Sequence, residues 1–200
     1  MKFARENYPI YCLGLYLVVW IILAINPVDR FTWFLENLLP FIFVPFLVIN
    51  YKRNRLSNIS YTFITIFMIF HAIGAYYTYS EVPFISSFLN TNFNRDHYDR
   101  VVHFSFGLLM VYPFREFLIR NTKITGFWSY LTPVTLIMAA SSSYEIIEWA
   151  TAVIVQQENA VAWLGLQGDV FDPQKDTLLA SLGSIITMSI TAIKIKYNRE

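Results

Sequence analysis

Asp96-His97-Tyr98-Asp99-Arg100-Val101-Val102-His103 runs straight into an apolar stretch, 104–112. On a helix, residues three or four apart share a face, so Asp96, Asp99 or Arg100, and His103 would stack together. An acid, a base and an imidazole at the mouth of an apolar helix are costly in hydrocarbon, and such residues mark functional sites. Further along, Glu145 and Glu148 lie three apart after Ser141-Ser142-Ser143, and Asp169, Asp172 and Asp176 would share a face if helical. Carboxylates with one or two imidazoles suit a divalent metal ion. Such an ion could polarise a phosphoryl or carbonyl oxygen, or generate hydroxide near neutral pH. Without metal, two close carboxylates push their pKa values apart and supply an acid and a base. The same groups could also serve as a proton or ion relay.

Whether these groups meet depends on the elements that carry them. The hydrophobic fraction is 56%, the aromatic fraction 18% and the charged fraction only 14%, with a mean hydropathy of +0.44. Soluble domains carry roughly 25% charged residues, so the chain reads as an all-α polytopic membrane protein. Its 200 residues accommodate six spans of roughly 20 residues with short loops, which makes one integral-membrane domain. The net charge of +1, with no basic run interleaved with aromatics, points away from nucleic acid. Cys12 is the only cysteine and lies in an apolar run, as an inert thiol with no intrachain disulfide partner. Lys2 and Arg5 precede the first apolar run as in a signal peptide, but that run is too long and no small-x-small site follows it. It reads as a retained first helix.

Apolar runs and stop signals such as Asn26-Pro27 predict helices at about 8–25, 32–50, 59–77, 96–119, 127–155 and 173–193. Pro40 and Pro45 within the second are tolerable where neighbouring helices satisfy the freed carbonyls. Eleven of the 15 Lys and Arg fall on one side: Lys2 and Arg5, the 52–55 loop, Arg115, Arg120 and Lys123, and the 194–199 tail. Arg30, Arg95, Arg100 and Lys175 fall on the other. The excess of positive charge predicts that both termini are cytoplasmic. Eleven of the 14 acids and all three histidines then face the extracytoplasmic side.

Each candidate also has a purely structural account. Asp172-Pro173 reads as an N-cap followed by proline at N1, and Asp176, Asp96 and Asp99 would sit where the helix dipole favours acids. His71 could be a neutral core histidine. Trp33, Trp128, Trp149 and Trp163 fall near predicted span ends, as in aromatic belts. Glu145 and Glu148, late in a long helix, and His103, about 6 Å deeper than Asp99, resist such accounts. We therefore assign Glu145, Glu148, His103 and Asp99 to chemistry, and Arg100, His71, Tyr76 and Gln167 to substrate contact. Asp99, His103, Glu148, Asp169, Asp172 and Asp176 are the candidate metal ligands. Arg100 would clamp a phosphate or carboxylate.

His71 with Tyr76, the Asp99–His103 block, Tyr144-Glu145-Ile146-Ile147-Glu148-Trp149 and the segment 168–176 resemble the YjdF family of bacterial inner-membrane proteins from the second helix onward. That resemblance implies a membrane location and singles out these residues; it implies no particular reaction. More distantly, Asp99-x-x-x-His103, a glutamate in the fifth helix, and Asp176 opening a last helix with Gly183 resemble VanZ-like proteins, which are associated with glycopeptide resistance and the cell envelope. The chain departs from that pattern at Arg100, usually Lys, and at Ala180, commonly Asn. Three functions follow as expectations. One is a metal-dependent enzyme acting on a lipid or lipid-linked envelope substrate. The others are a small ion-coupled transporter and a non-catalytic envelope or lipid-binding protein.

Overall fold

The computed structural model describes residues 6–79, 81–83, 98–155 and 171–198. All regular structure among them is helical. The elements are α1 (Tyr8–Ala24), α2 (Arg30–Glu36), α3 (Leu38–Asn50), α4 (Asn58–Tyr76), α5 (Tyr98–Ser105), a π-helical turn (Phe106–Met110), α6 (Val111–Asn121), α7 (Trp128–Val155) and α8 (Asp172–Tyr197). Four rods are long and apolar enough to cross a bilayer: Arg30–Asn50, Asn58–Tyr76, Tyr98–Asn121 and Asp172–Tyr197. At 17 residues, α1 is a shorter apolar helix. The remaining rod, α7, has length to spare at 28 residues, about 42 Å. Its apolarity is diluted by Ser141, Ser142, Ser143, Glu145 and Glu148.

The outer surface is the clearest sign of lipid. Ile42 is 71% exposed, and Ile49 is 78% exposed. They belong to a surface of large apolar side chains extending over every rod, far beyond the patches that soluble monomers tolerate. The chain is a polytopic helical membrane protein.

Local chemistry explains where the rods differ from the sequence expectation. The second begins at Arg30, not Thr32, because the Asp29 carboxylate caps it by accepting from the Thr32 backbone N–H at 2.6 Å. That bond holds the Asp29 carboxyl below its usual range. The same rod breaks at Asn37, which is fully buried. Its Oδ1 accepts from Trp20 Nε1 at 2.6 Å, and its Nδ2 donates to the Trp33 carbonyl at 2.7 Å. The last rod runs on to Tyr197 instead of ending near 193, with Lys194 and Lys196 in its final turn, where the dipole favours cations.

The strut of the bundle is α8, which packs along α7, α5 and the π turn, while α1 packs on α4. The crossing of α8 with the π turn is a contact of backbone on backbone. A Cβ on Gly107 would lie 1.8 Å from the Ala180 carbonyl oxygen, and one on Gly183 would lie 2.4 Å from that of Phe104. Small residues permit such approaches between membrane helices. Thr187 Oγ1 donates to the Leu108 carbonyl at 2.6 Å, inside the widened turn. This crossing holds the first turn of α8 against α5.

Opposite ends of the bundle differ in charge. The basic end carries Arg55, Arg120, Lys194 and their neighbours. There Glu116 accepts from Ser57 N at 2.8 Å, Ser57 Oγ at 2.8 Å, Ser60 Oγ at 2.5 Å and Arg120 Nη2 at 2.5 Å. Arg120 also donates to the Arg55 carbonyl, and Arg55 to that of Glu6. This ties α4, α6 and the start of α1 together.

Candidate functional site

At the acidic end, the starts of α5 and α8 meet the ends of α4 and α7. Asp99 and His103 are one turn apart on α5. His103 Nε2 lies 3.5 Å from Asp99 Oδ1 and 3.1 Å from Glu145 Oε1, and Nδ1 lies 3.0 Å from Ser141 Oγ. Carboxylates only accept, so in the neutral ring Nε2 carries the proton and Nδ1 accepts from the serine hydroxyl. Ser141 and Glu145 are themselves one turn apart on α7, so one face of that helix grips both edges of the imidazole. The Glu145 side chain is 11% exposed. Its buried Oε1 has ion-pair distance to His103 but no hydrogen bond of good geometry.

Asp99 also belongs to a second group. One carboxylate oxygen from each of Asp99, Asp172 and Asp176 lies within 4.8 Å of the others. Asp172 is 2% exposed and Asp176 1%. Arg100 Nη2 donates to Asp172 Oδ1 at 3.2 Å. Asp172 is therefore not the cap the sequence suggests: it stands inside the first turn of α8, with its carboxylate turned to α5 and Phe171 preceding the helix. Three carboxylate oxygens converging in this way form a hard donor set, of the kind that holds Mg²⁺, Ca²⁺ or Mn²⁺. Glu148 is within electrostatic reach of Asp99, Glu36, Glu145 and Asp176.

A hydrogen-bonded chain forms the opposite wall. Tyr144 OH donates to Glu36 Oε2 at 2.5 Å. His71 Nε2 donates to the Glu36 carbonyl at 3.0 Å, and Tyr79 OH donates to His71 Nδ1 at 2.5 Å. Burial, with the Glu36 and Asp99 carboxylates nearby, raises the Tyr79 phenol well above its ordinary range, so it stays a donor. Tyr79 gets there through an unusual turn. Thr78 and Tyr79 have φ of 55° and 58°, the left-handed geometry that follows a helix C-terminus. The Tyr79 N–H bonds the Gly74 carbonyl at 2.8 Å. A Cβ at Gly74 would meet the Tyr79 ring at 2.5 Å; only glycine leaves room for it.

Between these walls lies a chamber of about 290 Å³. Asp99, His103, Ser141, His71, Tyr79 and Tyr144 are in its lining, but the wall is almost wholly apolar, with Leu39, Phe43, Phe67, Met110 and Phe114 in it.

Of the residues assigned from sequence, the structure brings together Asp99, Arg100, His103, Glu145, Asp172 and Asp176, with Glu148 in reach and His71 across the chamber. Tyr76 is not among them. Its ring packs edge-on against Tyr77 at 4.6 Å, and its carbonyl accepts from Val28 N. Gln167 and Asp169 lie outside the described residues. Sequence reasoning missed Glu36 and Tyr79 as site residues and gave no role to Ser141 or Tyr144. Glu36 had a usable signal, being an acid inside an apolar helix.

A family model described as "Predicted membrane protein (DUF2238)" matches residues 8–197. The inner membrane protein YjdF of Escherichia coli (strain K12) is 32% identical over 179 residues, covering 88% of this chain and 84% of that protein. No solved structure matches. With a family model spanning both rims of the site and all six rods, the chain belongs to the DUF2238 family of predicted membrane proteins.

Proposed function

We propose that this protein is a divalent-cation-dependent enzyme of the bacterial plasma membrane, acting from the extracytoplasmic side on the polar end of a lipid or lipid-linked envelope molecule. One observation carries the reading: Asp99 belongs at once to the carboxylate triad, to the His103 pair and to the chamber wall. A cation held by Asp99, Asp172 and Asp176 would sit beside the chamber at Asp99 and polarise a phosphoryl or carbonyl oxygen placed there. His103, gripped by Ser141 and Glu145, would move the proton. Glu145 and Glu148 would stabilise the imidazolium, and Arg100 would hold Asp172 in place. The concentration of Lys and Arg at the opposite end supports the orientation.

An ion relay would use the same acids, but it needs polar groups continuing through the bundle. Below the site, Ser181, Ser184 and Thr191 donate to carbonyls of their own helix, and Thr187 to that of Leu108. That favours the enzyme.

The test is metal analysis of detergent-purified protein, followed by titration with Mg²⁺, Mn²⁺ and Zn²⁺. Stoichiometric divalent ion in the wild type, lost in Asp99→Asn and Asp176→Asn, supports the reading. A wild type that neither carries nor binds any of the three ions overturns it.

A further inference from the structure

We propose that the chamber seats the single apolar chain of an amphiphile, which enters sideways from the bilayer between α3 and α7 and brings its polar end to His103 and Asp99. This deepens the function proposed above and rests on it for the chemistry at the polar end; the binding site itself stands on separate observations.

The first is polarity. The wall is almost wholly apolar, with Phe43, Phe67, Met110 and Phe114 in it, while Asp99, His103 and His71 are also in the lining. That is the profile of a molecule with one polar tip and an apolar body, and a free polar metabolite would strand its polar atoms against aromatic rings. The second is size. At about 290 Å³, the chamber is at the lower limit of ligand pockets, which span roughly 300–1,000 Å³. It takes one chain and excludes a two-tailed lipid.

The third is the wall. Both α3 and α7 contribute to the lining, yet the two helices make no extended contact with each other. Beyond its contact with α2, α3 meets the bundle mainly through long side chains, Phe43, Val44 and Leu47 against the core and Phe46 against Phe117. It is separated from α2 by the break at Asn37 and carries Pro45 in its interior. Its outer face, with Ile42 and Ile49, is exposed where lipid would lie. Across the polar end of this seam runs the Tyr144–Glu36 hydrogen bond, linking α7 to α2. It is the latch of a side portal: the bond limits how far the seam opens and leaves the chain-binding surface itself untouched.

Photolabelling of the full-length protein in detergent micelles tests this, with dodecyl phosphate carrying a terminal diazirine and a diacyl phosphatidylethanolamine carrying the same group. The single-chain probe is expected to label residues of α3, α7 and the π turn. Phe43→Trp, which fills the chamber, should cut labelling about tenfold, equivalent to roughly 1.4 kcal/mol. Phe43→Ala, which cannot clash, should raise it, Ile49→Trp on the lipid face should leave it unchanged, and Tyr144→Phe should speed it. Equal labelling by the two probes overturns the proposal, as does labelling indifferent to both Phe43 variants. Bound metal is measured on the same samples. If metal is present and chamber labelling absent, this inference fails and the enzyme reading survives; chamber labelling in a protein that binds no cation leaves the chain site standing and removes the enzyme reading.

Discussion

Glu116 and Glu145 are both glutamates at a rim of the same bundle, and they are treated in opposite ways. Glu116, at the basic end, receives four donors from three sources, an α4 N-terminus, two hydroxyls and a guanidinium. Glu145, at the acidic end, keeps a buried oxygen without a hydrogen bond and has other carboxylates, Asp99 and Asp176, in electrostatic reach. A carboxylate that fastens helices together is saturated with donors, because an unsatisfied one costs folding energy. Glu145, with one oxygen lacking such a donor and other carboxylates close by, does no such fastening; under the function proposed above, a proton or a cation would complete its surroundings.

The severest test of this contrast removes the crossing that assembles the acidic end. Gly107→Val drives a Cβ into the Ala180 backbone and should cost more than about 4 kcal/mol, read as lost thermal stability and lost divalent binding together. Gly14→Val, whose Cβ meets open space, should change neither. Next, Glu116→Ala leaves Ser57, Ser60 and Arg120 without their acceptor. It should lower stability in detergent by about 3 kcal/mol while metal binding persists. Asp176→Asn should do the converse. Melting in chelator should stay level or rise as a like charge disappears, while the stabilisation by divalent ion, about 2.7 kcal/mol at a hundredfold excess over Kd, should vanish. An Asp176→Asn protein that unfolds like Glu116→Ala would mean that the two ends share one structural role. The smallest effect is expected from Tyr79→Phe, about 1 kcal/mol, since His71 keeps its bond to the Glu36 carbonyl.

Much of this was readable in the sequence, for a physical reason. A charge in an apolar run is conspicuous, which marks Asp99, His103 and Glu145; Asp172 and Asp176 are marked by the face they would share, and the rods bring all five to one end. Residues whose role depends on backbone shape are not marked in this way. Tyr76 belongs to the same apolar run as His71 and is visible there, whereas the Tyr79 hydroxyl reaches His71 only because the chain turns left-handed after α4. Ser141 looks like its neighbours Ser142 and Ser143 until α5 is placed opposite. Glu36 was counted with the outer acids, but nothing in its local pattern announces a break at Asn37 that turns the end of α2 inward. The close approach of Gly107 to Ala180 is a property of two helices, and neither segment shows it alone.

The π turn at Phe106–Met110 makes one contact of α8 depend on a single residue. A regular α-helix advances about 100° per residue, and a π turn is in effect a one-residue insertion into that count. Deleting a single residue between 106 and 110 would leave an unbroken helix of nearly the same hydropathy, which would still insert. The phase of the rod would also survive, because the wide turn already absorbs the extra residue: His103 would still face Ser141, and what closes is the turn whose Leu108 carbonyl accepts from Thr187. Relatives that lack the extra residue should therefore keep the site and lose this bond between α8 and the turn.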